Sequence, residues 1–169
     1  MAVRRILQLG DPALRQVSAP VDHPAGVSDL LADLSDTLAA FRRTHGFGRG
    51  ISAIQIGNAH RVIFLHVDGK PFELINPHYL ERSQETFELW DDCFSFPNLM
   101  VRLRRHTAIR LRYQDRSGAW TELAARDAFA ELIQHEMDHL DGVLAVDRAE
   151  NSLSLSTREE FLRIKASQE

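Results

Sequence analysis

The stretch Gln134–Gly142, QHEMDHLDG, constrains this chain more than any other because it contains H-E-x-x-H. On a helix, His135 and His139 lie about one turn apart on a single face. Two imidazoles placed in that way can take adjacent positions around a tetrahedral metal ion. Glu136 falls beside them, where a carboxylate can exchange a proton with a water at the metal. The helix itself is well signalled over 127–140. Asp127 stands where a cap is needed, Phe129, Leu132, Ile133, Met137 and Leu140 form an apolar stripe, and Gly142 marks the stop. A pattern of three fixed residues can arise on a helix by chance. The rest of the chain must therefore supply a third ligand, an oxyanion donor and a pocket.

The length of 169 residues suits one domain with a sizeable core, spanning 1–169. A first helix is expected from Ser28, as its cap, to about residue 45, with Leu30, Leu31, Leu34, Leu38 and Phe41 at helical spacing. A glycine-rich loop follows at 46–57. Strands are expected at 61–67, at 72–75 (ended by Asn76-Pro77) and at 85–90, then a loop over 91–98. Residues 107–113 and 119–123 read as a hairpin around Asp115-Arg-Ser-Gly118. The tail carries a capping box at Ser156–Glu160 and a short helix over about 156–166. This order predicts an α+β fold, with antiparallel strands around the central helix that holds H-E-x-x-H.

Composition excludes some functions. A net charge of −4 makes no electrostatic case for nucleic acid or an anionic membrane. No run approaches the ~20 apolar residues of a membrane span. The first twenty residues, with Arg4, Arg5 and Arg15 and no long apolar run, do not read as a secretory signal, so a cytoplasmic protein is expected. Cys93 stands alone, which leaves it as a buried small hydrophobe, a reactive thiol or a metal ligand.

Three candidates compete for the third ligand. The protease pattern that extends H-E-x-x-H to a third histidine fails, because that position is Ala145. A glutamate about twenty residues past the second histidine is a second option, and Glu159 sits at that distance. Cys93, flanked by Asp91, Asp92 and Pro97, is the third and is a poor fit to a plain core thiol. The Gly48-x-Gly50-x-x-Ala53 stretch, with Asp68 downstream, mimics a dinucleotide fingerprint, but it follows a helix rather than a strand.

Three separated stretches together resemble the peptide deformylase family. The family's G-x-G-L-A-A-x-Q-x-G appears as Gly48-Arg-Gly-Ile-Ser-Ala-Ile-Gln-Ile-Gly57. Its E-G-C-L-S appears as Asp91-Asp92-Cys93-Phe94-Ser95, and its Q-H-E-x-D-H-L-x-G is complete at 134–142. Asp11-Pro12-x-Leu14-Arg15 also resembles the family's N-terminal region. The resemblance implies one divalent metal held by Cys93, His135 and His139, typically Fe²⁺, with Zn²⁺, Ni²⁺ or Co²⁺ able to occupy the same ligands. It implies hydrolysis of a formyl amide to release formate. Gln55 and the backbone N–H of Phe94 would serve as oxyanion donors, and Glu136 as proton carrier. It further implies a formylated peptide or nascent chain as partner, with transient ribosome contact. Asp138 is expected to act behind the ligands, and Arg105 to pair with Asp91.

The chain departs from the family where substrate would lie. Arg49 and Glu131 replace usually apolar residues, and Asp92 replaces a glycine; Ser52 and Phe94 are milder changes. The substrate-binding set is therefore expected to be Arg49, Gly50, Ile51, Asp92, Glu131 and Leu132, with an altered side-chain preference. Arg49 and Glu131 are expected to pair with each other, to read a polar or charged substrate, or to point outward at the pocket rim. The rival readings are a metalloprotease using Glu159 and a non-catalytic relative that binds formylated ligands.

Overall fold

The structure, a computed structural model, describes residues 2–168. After two short 3-10 turns comes helix α1 (Ser28–His45), then strand β1 (Gly50–Ser52) and a 3-10 turn at Ala53–Ile56. Strands β2 (Val62–Val67), β3 (Lys70–Arg82), β4 (Thr86–Asp92), β5 (Leu99–His106), β6 (Ala108–Gln114) and β7 (Trp120–Arg126) lead into helix α2 (Asp127–Leu140). A short β8 (Leu155–Thr157) and helix α3 (Arg158–Ala166) follow. One sheet has the order β1-β2-β3-β6-β7 and the other β4-β5-β8, with antiparallel neighbours throughout. This is the expected α+β arrangement.

Helix α2 is the centre. Every residue from Ala130 to Leu140 is buried, although the helix carries six polar side chains in that span. Leu132, Ile133, Met137 and Leu140 pack with Ile63, Leu65, Leu74 and Leu111 from the larger sheet. Gln134, on the opposite side, accepts from His106 N–H at 3.0 Å and donates to His106 O at 2.9 Å, which stitches α2 to the end of β5. A buried polar helix face persists only when its groups are paired. Here Gln134, His135 and Asp138 pair with the smaller sheet, which brings β4 and β5 up against the histidines, while Glu136 pairs with Ser52 at the edge of the larger one.

The sequence expectations need four corrections. Ser28 is the first helical residue and does not cap α1; its Oγ turns back to Ala25 O at 3.3 Å, because a 3-10 turn already leads into the helix. Asp127 does not cap α2. Strand β7 runs straight into the helix, so the extended Arg126 is the boundary and Asp127 takes φ of 50°. Strand β3 does not stop at Asn76-Pro77. A register shift between Ile75 and His78 absorbs the proline, which has no N–H to give to a ladder, and Asn76 (φ 52°) secures the bulge through Val21 and Gln114. Asp91 and Asp92 belong to β4 rather than to a loop. Strand β5, for which no expectation stood, places Val101, Leu103 and Arg105 inward and buried while Arg104 is exposed.

Gly142 sits at the C-terminal end of α2 with φ of 72°, and a Cβ there would lie 2.5 Å from Arg15 O. The N-terminal segment crosses at this point, where Ser18 N–H donates to Leu140 O at 2.8 Å. Gly142→Ala therefore combines left-handed strain with a backbone clash. It is expected to cost about 1–3 kcal/mol or more, read as a lower denaturant midpoint with unchanged m.

Candidate metal centre

Helix α2 presents His135 and His139 on one face, and the turn after β4 brings Cys93 to meet them. His139 Nε2 lies 3.1 Å from His135 Nε2 and 3.2 Å from Cys93 Sγ. The three ligand atoms all lie within 4.8 Å of one another, and all three residues are buried. A tetrahedral ion with bonds of about 2.0–2.3 Å separates its donors by roughly 3.3–3.6 Å, close to these spacings. The hydrogen-bond pattern gives the same answer. His135 Nδ1 donates to Asp91 Oδ2 at 3.0 Å, which leaves Nε2 as a bare lone pair. His139 Nε2 can donate one hydrogen at most, yet it faces both that lone pair and the sulfur. A buried convergence of three such atoms suits a cation, and one thiolate with two imidazoles is a donor set for a divalent transition metal.

Asp91 and Asp138 support the ligands through a chain of charges. Arg105, 3% exposed, donates to Asp91 Oδ2 at 2.9 Å and to Asp138. Arg148 makes a two-pronged contact with the same Asp138 carboxylate. Burial works to raise the Asp91 pKa, but the hydrogen bond from His135 and the charge and hydrogen bond of Arg105 outweigh it and hold the carboxyl below the usual carboxylate range. Removing Arg105 would leave two buried carboxylates short of a partner. Arg105→Met is expected to destabilise the fold by about 3–5 kcal/mol and to loosen metal binding, read by denaturant unfolding and metal titration.

On the other side of the ligands stand donors and a base. Gln55 Oε1 accepts from Ser52 N–H at 2.9 Å, which turns Nε2 toward Cys93 Sγ (3.6 Å) and Ser95 Oγ (3.3 Å). The N–H of Phe94, next to the ligand, has no hydrogen-bond partner among the described residues. Glu136 Oε2 accepts from Ser52 Oγ, and burial pushes its carboxyl up to about 7, with His135 and the Ser52 bond opposing. Its Oε1 lies beside Gly50, where an added Cβ would approach to 2.9 Å. Gly50 is thus a place where only a bare backbone leaves the carboxylate room. A Cβ on Gly48 would run into the Phe94 ring at 2.2 Å.

These groups open onto one cavity of about 500 Å³ whose walls include Arg49, Gly50, Asp92, Glu131 and Leu132. Ile51, expected in this set, is instead fully buried among Leu38, Phe41 and Phe64. Side chains alternate along β1, so the face that Gly50 turns to the cavity is not the one that Ile51 uses. Glu159 is exposed on α3 and stands outside the ligand group. The Gly48–Gly50 stretch leads into β1 and a 3-10 turn rather than a long helix, so the dinucleotide reading lacks the helix N-terminus it needs. Ser52 was noted from sequence only as a mild departure, and Ser95 and Arg148 were given no role. Of these, Ser52 carried a signal: a hydroxyl where the family motif has alanine, and it ends up on the base.

Comparison with known proteins places the site in context. The sequence profile described as Polypeptide deformylase matches residues 3–154. A peptide deformylase of Heliobacterium modesticaldum is 40% identical over 152 residues, covering 89% of this chain and 97% of the relative. The crystal structure of peptide deformylase from Thermotoga maritima superposes with a TM-score of 0.82 at 32% identity, covering 89% of this chain and all of the other. A class I type b peptide deformylase from Acinetobacter baumannii, solved with Met-Ala-Ser bound, matches with a TM-score of 0.77 at 27% identity over 87% of this chain and 98% of the other.

Proposed function

This chain belongs to the peptide deformylase family, metal-dependent hydrolases that remove N-formyl groups from nascent peptides, and we propose which of its atoms carry that reaction. The observation that supports the assignment is the convergence of Cys93, His135 and His139 beside Gln55 Nε2, Phe94 and Glu136. When bound by those three ligands, a divalent metal supplies Lewis-acid chemistry that makes water nucleophilic near neutral pH. Gln55 Nε2 and the Phe94 N–H donate to the formyl oxygen as it gains charge. Ser52 fixes Glu136 Oε2, which leaves Oε1 to take a proton from the attacking water. The formyl C–N bond then breaks, that proton passes to the leaving amine, and formate departs. Asp91 holds the proton of His135 on Nδ1, so that Nε2 stays a ligand.

The proposal extends to the metal, the substrate wall and the setting. Fe²⁺ is the proposed native ion, with Zn²⁺, Ni²⁺ and Co²⁺ compatible with one sulfur and two nitrogen donors. Arg49, Gly50, Asp92, Glu131 and Leu132 are proposed to face substrate, because they line the cavity onto which Cys93, His135 and Glu136 open. Residues 1–169 would act as a single catalytic domain. No helix among the described residues is long and apolar enough to cross a membrane. One unpaired, buried cysteine suits a reducing compartment, so the proposed setting is the cytoplasm, beside ribosomes from which nascent chains emerge. The test is formate release from a panel of formyl peptides by protein loaded with one equivalent of Fe²⁺. Turnover that tracks metal content supports the reading; a fully loaded protein that releases no formate from any member of the panel overturns it.

A further inference from the structure

We propose that the Arg49–Glu131 ion pair selects substrates whose first side chain is a neutral carboxamide, glutamine foremost, over apolar side chains of equal length. The inference rests on the deformylase reading of the same site. Glu131 is one helical turn before His135, about 6 Å along the α2 axis. A formyl group held between Gln55 and Glu136 has its first side chain within that reach. Elsewhere in the cavity wall, Asp92 is already held by Arg158 at 2.7 Å, which also donates to Pro97 O at 2.6 Å.

The pair leaves matched groups open. Arg49 donates to Glu131 Oε2 at 2.8 Å and to Ala128 O at 3.2 Å, which uses two of its five N–H donors. Glu131 is only 7% exposed, yet its Oε1 has no partner among the described residues and is not sealed from solvent. An apolar side chain laid over Oε1 would strip water from an ionised oxygen and return nothing. A lysine could donate to Oε1 but would meet the Arg49 cation in the same contact, and a carboxylate would face Glu131 and Asp91. A carboxamide carries both complements: its NH₂ donates to Glu131 Oε1, and its oxygen accepts from Arg49. The substrate then completes a polar contact that an apolar rival leaves unmade, the situation in which hydrogen-bonding pockets discriminate most.

Two measurements test this. The first is kcat/KM of the metal-loaded protein for formyl-Gln-Ala against formyl-norleucyl-Ala. The second is calorimetric binding of the same two peptides to metal-loaded Glu136→Gln protein. Glutamine is expected to lead by at least about tenfold in both. Glu131→Gln, which keeps an acceptor oxygen, should preserve that order. Arg49→Leu, at the exposed rim, should erase it, and Arg49→Leu with Glu131→Leu should reverse it. Turnover that favours norleucine overturns the inference while upholding deformylation. Binding that favours glutamine with no turnover of either peptide upholds the inference and sinks the deformylase reading instead.

Discussion

Cys93→Ala is expected to release the metal and abolish formate production together. The substitution removes the one sulfur donor and leaves two imidazoles, so affinity should fall by more than the roughly 10–100-fold loss typical of residues behind the ligands. The sulfur is well held for this task. Ser95 N–H points at it from 3.4 Å and Gln55 Nε2 from 3.6 Å, which suits an anionic acceptor, and His139 lies 3.2 Å away. Glu159→Ala is the control, because Glu159 is exposed on α3 and is expected to change neither metal content nor rate. Metal stoichiometry by atomic emission, measured alongside formate release, reads both variants. A Cys93→Ala protein that keeps a full equivalent of metal, beside a Glu159→Ala protein that loses it, would replace this ligand set with the protease one.

The parts of the fold that could be read from sequence are those in which one local signal dominates. Helix α2 was marked by its stripe and its glycine, and the ends of the helix match the expected 127–140. The hairpin of β6 and β7 was marked by Asp115 and Gly118, which close its turn. The elements that were missed depend on contacts remote in sequence. Strand β5 hides its alternation behind arginines, and only the burial of Arg105 between Asp91 and Asp138 explains why a charge sits at an inward position. The true extent of β3 depends on Asn76 reaching Val21 and Gln114, which no local pattern reports. The same division holds at the site. Residue types named the ligands, but the role of Ser52 needed β1 and α2 to be placed side by side, and Ile51 needed the pleat of β1 to turn it into the core. The Arg49–Glu131 pairing lay between these cases. Its two residues stood out as misplaced charges, and the structure brings them to 2.8 Å.

Glu136→Gln should separate metal binding from chemistry. The substitution keeps the side-chain volume and a group to meet Ser52 Oγ, and it removes the capacity to take up a proton at Oε1. Loss of a positioned acid–base group typically costs about 10²–10⁴-fold in rate, so kcat is expected to fall by that amount while KM changes little. Metal content should stay at one equivalent, because Glu136 is not among the three atoms that meet at the ion. The pH profile supplies an independent readout. Burial raises the Glu136 carboxyl to about 7, and a bound cation favours the ionised form and draws it lower. The base must be ionised to act, so wild-type kcat/KM should fall as pH drops through a value at or below about 7. The residual activity of Glu136→Gln should lack that limb. A variant that keeps more than about a tenth of wild-type kcat would remove Glu136 from the proton path. The proton would then have to move through another group in the cavity wall, and Glu131, five residues earlier on α2, is the other carboxylate that helix gives to the cavity.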